Sequence, residues 1–288
     1  MTILVIGASG SIGGEMMTGL LGKGQSVRGM SHSSAKLNSF PEGVEGCVAD
    51  LTAIGSLKTA FAGIEKLFMI TPLSQNEIQM GLNTISAAKA AGVKKIVYMS
   101  VPHPQGSDQI PHYRNKLLVE KKLRESGIAY TILRPNNFFQ NDLWGHSAIM
   151  VYNAYPQPIG NTGLNRVDVR DVADAAINAL GSDEFDNQEF SIHGSETLTG
   201  NSCAAEFGKQ LGRDIHYSGD DLEVWARQAQ YMMPDWMLSQ FKVMYQYFQI
   251  HGLMATPEEL AAQQAIVGHA PRSFADFVAE LVQSWSQD

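Results

Sequence analysis

Three side chains able to carry or relay a proton fall close together in IPHYRNKLLVEKK, residues 110–122: His112, Tyr113 and Lys116. On a helix they span about one and a half turns. A lysine ammonium one turn beyond a tyrosine favours the phenolate, so that the phenol can give its proton to a carbonyl under reduction. A tyrosine at minus four would lie one turn back on the same stripe as the lysine. Here Tyr113 stands at minus three and His112 at minus four. Positions 112, 116, 119 and 123 share one stripe, and Val119 and Leu123 make it apolar. His112 and Lys116 therefore open a buried face, where polar side chains need a reason. A ligand pocket is one. A Lys116–Glu120 pair at i, i+4, or a lysine that snorkels outward, are the others.

The second chemical signal is ILVIGASGSIGG at the start of the chain. Gly7, Gly10 and Gly13 follow a strand and lead into a helix. The first allows a tight turn, the second lets an anion approach the backbone, and the third lets helix and strand pack closely. Gly7, Ser9, Gly10, Ser11, Ile12 and Gly13 are the expected contacts to the pyrophosphate of a nicotinamide dinucleotide. NAD binders place an acid at the end of the second strand, on the ribose hydroxyls. In RGMSHSSAK, residues 28–36, there is none. Arg28, Ser31, His32, Ser33 and Lys36 offer cations and hydroxyls, which suit a 2′-phosphate. NADP(H) is therefore expected over NAD(H), with His32 and Lys36 among its contacts. Arg28 as strand-edge solubilisation and Lys36 as a solvated helix charge are the plain alternatives.

These residues need a frame. TILVIG, SVRGMS, VEGCVAD, KLFMIT, KKIVYMS and AYTILRP read as strands, alternating with helix patterns such as IQMGLNTISAAKAAG. Apolar, β-branched runs between helices indicate a parallel sheet covered on both faces. The fold class expected is α/β, a Rossmann-type doubly wound parallel sheet with a small, mostly helical C-terminal lobe. Residues 1–150 are assigned to the dinucleotide-binding domain, with 166–195 packing back onto it. Residues 151–288 form the interleaved smaller lobe. TPEEL reads as a helix start, with Thr256 as N-cap, Pro257 at N1 and Glu259 closing a capping box.

The 288 residues suffice for a sizeable core. A net charge of −8 without a basic tract argues against nucleic acid as a partner. Cys47 and Cys203, far apart and without ligand spacing, read as reduced thiols, and no metal site is expected. No apolar run approaches a membrane span, and the N-terminus lacks a signal-peptide pattern. A cytoplasmic protein with no membrane partner is expected.

Taken together, VIGASGSIGG, VADLTAIGSLKTAFAG, AAKAAGVKKIVYMS, HYRNKLLVEKKLRESGIAYTILRPNNFFQN and RVDVRDVADAA resemble the NmrA-like proteins, atypical members of the extended short-chain dehydrogenase/reductase superfamily. SETLTG, FGKQLGRDIHYS and GHAPRSFADFV carry the likeness nearly to the C-terminus. The resemblance implies a lobe closing over the cofactor. It places Asp50 and Leu51 near the adenine, and Thr71, Pro72 and Ser100 along the carboxyl edge of the sheet. Pro135, Asn136 and Phe138 would lie beside the nicotinamide. Asp50 as a turn cap and Phe138 as a core aromatic are the structural alternatives.

The same resemblance gives Lys116 a contact to the nicotinamide ribose. His112, with an unperturbed pKa of about 6.5, is then a candidate acid or polariser near neutrality. Tyr113 takes a secondary role, since its offset aims it elsewhere. Family members lacking the tyrosine divide into reductases of acceptors that need little acid catalysis and binders without turnover. The expected function is an NADP(H)-dependent reductase passing hydride to an apolar conjugated small molecule such as a quinone, enone or dye. The alternative is a redox-sensing regulator of the NmrA type, which leaves room for a protein partner. Trp144 and Tyr152, just beyond Asn136, are candidates for a substrate cleft. The aromatic-rich stretch 223–248 is read mainly as core.

Overall fold

The computed structural model describes residues 1–286. The chain begins β1 (Thr2–Ile6), α1 (Ser11–Gly22), β2 (Ser26–Ser31), β3 (Glu45–Val48), α2 (Ile54–Ala60), β4 (Lys66–Ile70), α3 (Glu77–Ala91), β5 (Lys95–Met99), α4 (Pro111–Arg124) and β6 (Ala129–Pro135). It continues through α5 (His146–Tyr152), β7 (Ala154–Tyr155), α6 (Val169–Gly181), β8 (Gln188–Ile192), α7 (Gly200–Leu211) and β9 (His216–Tyr217). Four helices follow: α8 (Leu222–Ala229), α9 (Asp235–His251), α10 (Pro257–Val267) and α11 (Phe274–Trp285).

Seven strands form one sheet in the order β3-β2-β1-β4-β5-β6-β8, and every pair is parallel. The doubly wound α/β expectation therefore holds. Buried runs such as Ile3–Ile6 and Ile96–Met99 explain why both faces must be covered. On one face α1 and α6 pack through Met16, Leu20, Val172 and Ala176. On the other, α2, α3 and α4 contribute Leu57, Ile85, Ala88, Val119 and Leu123. α10 also returns to the first face, where Ile266 and Val267 join its core. β7 and β9 pair apart from the main sheet, and α7, α9 and α11 build a separate core around Phe207, Tyr245, Phe248 and Phe277.

The local start and stop signals explain the helix ends. Thr256 and Glu259 exchange the two capping-box hydrogen bonds at 3.2 and 2.9 Å, with Pro257 at N1. Gly92 ends α3 in the left-handed region at φ 75°. Between β1 and β4 the winding direction reverses, so the loops after Ile6 and Ile70 flank a crevice at the carboxyl ends of the strands. Among the described residues no helix is long and apolar enough to cross a membrane.

Candidate active site

At one side of the crevice, Gly7 turns the chain out of β1 at φ 75° and its carbonyl accepts from Gly10 N–H at 2.9 Å. Gly10 is the extended N-cap of α1, whose first turn has no acidic residue. A methyl group at Gly13 would lie 2.2 Å from the Gly7 carbonyl oxygen, so only glycine allows this approach. Ser9, Gly10 and Ser11 are exposed, while Ile12 and Gly13 are buried behind them. Open N–H groups at the positive end of a helix suit a pyrophosphate.

Beyond β2 the candidates separate. Arg28 donates to the carbonyls of Ala60 and Ala62 at 2.9 and 2.8 Å and pairs with Glu45 at 3.0 Å. Its guanidinium is an anchor between strand and loop, neither free for a phosphate nor a solubilising charge at the strand edge. His32 and Lys36 are exposed, and among the described residues Lys36 makes no hydrogen bond or ion pair through its ammonium. Ser31 is buried, and its hydroxyl accepts from Ser33 N–H at 3.2 Å. Asp50 accepts from the backbone and the hydroxyl of Thr52, both at 2.8 Å, and the backbone bond chiefly holds its carboxyl below the usual range. Leu51 is buried, and its carbonyl accepts a 2.8 Å bond from Asn83, a residue that no motif in the chain singles out.

At the end of β4, Thr71 and Lys116 meet. The Lys116 ammonium donates to Thr71 O at 3.2 Å and to Thr71 Oγ1 at 3.0 Å, and pairs with Glu77 Oε1 at 2.9 Å. The Thr71 hydroxyl in turn donates to Glu77 Oε1 at 3.0 Å and meets the Tyr98 hydroxyl at 3.3 Å. Lys116 neither pairs with Glu120 nor snorkels. Glu120 faces Arg124 and Arg134 instead, both at 2.7 Å. Pro72, next to Thr71, is exposed. Glu77 and Tyr98 complete this group and were missed from the sequence. Only an acid in the first turn of α3 hinted at the former.

The stripe on α4 is buried as expected, from His112 through Lys116 and Val119 to Leu123. The expected charge behaviour of His112 is corrected. It packs against the rings of Tyr113 at 4.9 Å and Phe241 at 6.1 Å, and its Nδ1 is buried without a partner. Burial first, and the Lys116 charge second, bring it down to about 3, so the imidazole is neutral at pH 7. A neutral imidazole can donate one hydrogen bond and accept another. Tyr113 lies in the lobe core beside Ile110, and burial pushes its phenol upward.

A stability consequence follows from this shift. Unfolded, His112 protonates near 6.5; folded, it resists until about 3. In that window the unfolded chain binds more protons, so stability is complete above 6.5 and falls as pH falls. The slope owed to His112 is up to about 1.4 kcal/mol per pH unit. His103, brought down to about 4 mainly by burial, acts in the same direction. Denaturant unfolding from neutrality to roughly pH 5 should show the decline, and His112→Phe should reduce its slope. An unchanged slope in that variant contradicts the neutral, buried imidazole.

The remaining edge is tied to the lobe. Asn136 is buried and donates to Leu253 O at 2.8 Å, with His193 Nδ1 at 3.0 Å, so its amide N–H groups have protein partners. Pro135 and Ser100 are buried at the ends of β6 and β5. Phe138 is half-buried against the sheet core, and its carbonyl accepts from Arg166 at 2.7 Å. Trp144 and Tyr152 stand 63% and 70% exposed on the outer surface. Phe241 is the side chain of the aromatic stretch that reaches His112; Tyr245 and Phe248 are core. Elsewhere, the guanidinium of Arg272 fills the Asp171, Asp174 and His269 cluster.

Comparison with known proteins identifies the family and the fold. The NmrA-like family model matches residues 1–277. The NAD(P)H azoreductase of Xenophilus azovorans is 30% identical over 284 residues, covering 96% of each chain. Quinone oxidoreductase 2 of Escherichia coli is 27% identical over 219 residues, covering 75% of this chain and 76% of that one. The crystal structure of the Escherichia coli enzyme complexed with NADPH superimposes with a TM-score of 0.86 at 24% identity, over 97% of this chain and 99% of the other. NmrA, a negative transcriptional regulator solved with NADP, shares the fold at a TM-score of 0.76 and 20% identity, over 97% and 94%. With a glycine cradle, an acid-free second strand and a matching family model over nearly its whole length, the chain belongs to the NmrA-like family.

Proposed function

We propose that the protein is an NADP(H)-dependent oxidoreductase acting on an apolar conjugated small molecule, of the quinone, enone or dye class. The observation that carries the reading is an open glycine cradle beside a crevice whose His112 imidazole is buried and neutral. When bound, the reduced dinucleotide supplies the hydride. Gly7, Ser9, Gly10, Ser11, Ile12 and Gly13 receive the pyrophosphate. His32 and Lys36 favour a 2′-phosphate, and β2 itself ends without a carboxylate. Thr71, Pro72, Ser100, Pro135, Asn136 and Phe138 shape the edge along the strand ends, and Asp50 with Leu51 closes the adenine side. Neutral His112 offers a hydrogen bond and no readily lost proton, which suits acceptors whose reduced form is stabilised by conjugation. The azoreductase and quinone oxidoreductase relatives support this acceptor class.

One observation favours the regulator reading instead: the Lys116 ammonium is engaged by Thr71 and Glu77, so it does not stand free to act on a substrate. Binding titrations and loss of NADPH absorbance with a panel of quinones, enones, dyes and aldehydes separate the two. Expected are tighter binding of NADPH than NADH and turnover with conjugated acceptors but not simple aldehydes. Lys36→Glu should weaken NADPH about tenfold and leave NADH within about threefold. Tighter NADH overturns the cofactor preference. Binding without turnover across the panel moves the assignment to the regulator, and failure to bind either dinucleotide sinks both.

A further inference from the structure

Glu77 opens α3, where the positive end of the helix favours a carboxylate. It is fully buried. Oε1 forms an ion pair with the Lys116 ammonium at 2.9 Å and accepts from the Thr71 hydroxyl at 3.0 Å, while Oε2 is buried with no hydrogen-bond partner. Three elements meet at this point: the end of β4, the first turn of α3 and the inward stripe of α4. The exposed Pro72 follows directly on Thr71. A buried anion joined to a buried cation fixes the segments that carry them, and removal of either partner leaves a charge uncompensated.

We infer that Glu77 is a positioning residue for the dinucleotide: it holds the Lys116 ammonium against Thr71 and so fixes the Thr71–Pro72 edge of the crevice. The inference rests on the reading of that crevice as a dinucleotide site. Neighbouring groups do not substitute for it. Tyr98 reaches the Thr71 hydroxyl and lies 5.7 Å from the ammonium by its ring centre, but it brings no charge. His112 on α4 is neutral at pH 7. Glu120, one turn beyond Lys116, is held by Arg124 and Arg134. Lys116 on this view acts through Thr71, which it meets by two hydrogen bonds, while its ion pair with Glu77 holds it there.

The test is a fluorescence titration of NADPH with the wild type, Glu77→Gln, Lys116→Met and the double variant, alongside thermal unfolding. Glu77→Gln should weaken NADPH about tenfold and raise its KM in step, while kcat and the KM for a benzoquinone stay within about twofold. The double variant removes both charges, should fold, and should bind no more weakly than Lys116→Met alone, because the two residues act through one edge. That comparison carries the test if Glu77→Gln alone does not fold. Tighter NADPH binding by Glu77→Gln overturns the inference, since the carboxylate would then only restrain a cation that otherwise meets the ligand. Unchanged affinity with lower thermal stability overturns it too, leaving a structural pair. A wild type that binds neither dinucleotide removes the function proposed above and this inference with it; an unchanged variant beside a binding wild type removes this inference alone.

Discussion

Alanine at position 13 is expected to weaken dinucleotide binding at least about a hundredfold, close to 3 kcal/mol, whereas alanine at position 14 should leave it intact. The two glycines are neighbours in α1 and differ only in what surrounds them. A methyl group at Gly13 would meet the Gly7 carbonyl oxygen at 2.2 Å and the Ala8 Cα at 2.6 Å, both backbone atoms that cannot swing aside. Relief requires the start of α1 to lift from β1, which moves the N–H groups that face the anion. At Gly14 nothing lies within 4 Å of the added methyl. There the exchange removes a helix-interior glycine and should stabilise the protein by roughly 0.5–1 kcal/mol. Gly10 is intermediate, with the Gly7 oxygen at 3.3 Å. NADPH titration and thermal melts of the three variants check the ranking. A Gly13→Ala protein that binds within about tenfold of wild type contradicts the close-approach role.

The glycine cradle was legible because its chemistry is local: each glycine answers to a backbone constraint within a few residues. The same holds for the capping box at Thr256 and for the strands, whose β-branched runs carry their own burial. The inward stripe of α4 was legible too, because periodicity alone puts His112 and Lys116 beside Val119 and Leu123. What periodicity could not give was the partner of each buried group. Glu77 reaches Lys116 only because α3 and α4 lie side by side on one face of the sheet, and no spacing in the chain encodes that meeting. The charge of His112 escaped for a related reason. Its ordinary pKa belongs to the residue, but the value of about 3 belongs to the wall formed by Tyr113 and the distant Phe241. Arg28 shows the converse. Its type suited a phosphate, yet the carbonyls of Ala60 and Ala62 had the prior claim.

Arg166→Met should cost about 3–5 kcal/mol of stability, among the largest effects of any single side chain, because it strands a carboxylate in the lobe core. Arg166 and Asp142 are both fully buried and joined by two hydrogen bonds, at 2.9 and 3.1 Å. Asp142 also accepts from Tyr155 at 2.9 Å and from Gln157, and burial pushes its carboxyl upward against the pull of Arg166. Arg166 reaches further, to Asn137 Oδ1 at 2.9 Å and Phe138 O at 2.7 Å, and its guanidinium lies 5.5 Å from the Phe274 ring centre. It thus links the lobe core to the loop after β6. The double variant Arg166→Met/Asp142→Leu removes both charges and should recover about half of the loss or more, limited by the partners left to Tyr155 and Gln157. Recovery of stability without recovery of NADPH affinity would locate a binding contribution in the tether from Arg166 to Asn137 and Phe138, separate from its part in the core. Urea unfolding at neutral pH measures the first quantity and NADPH titration of the refolded double variant the second. A loss below about 1 kcal/mol for Arg166→Met would mean that water or a rearranged carboxylate relieves Asp142, contrary to its complete burial.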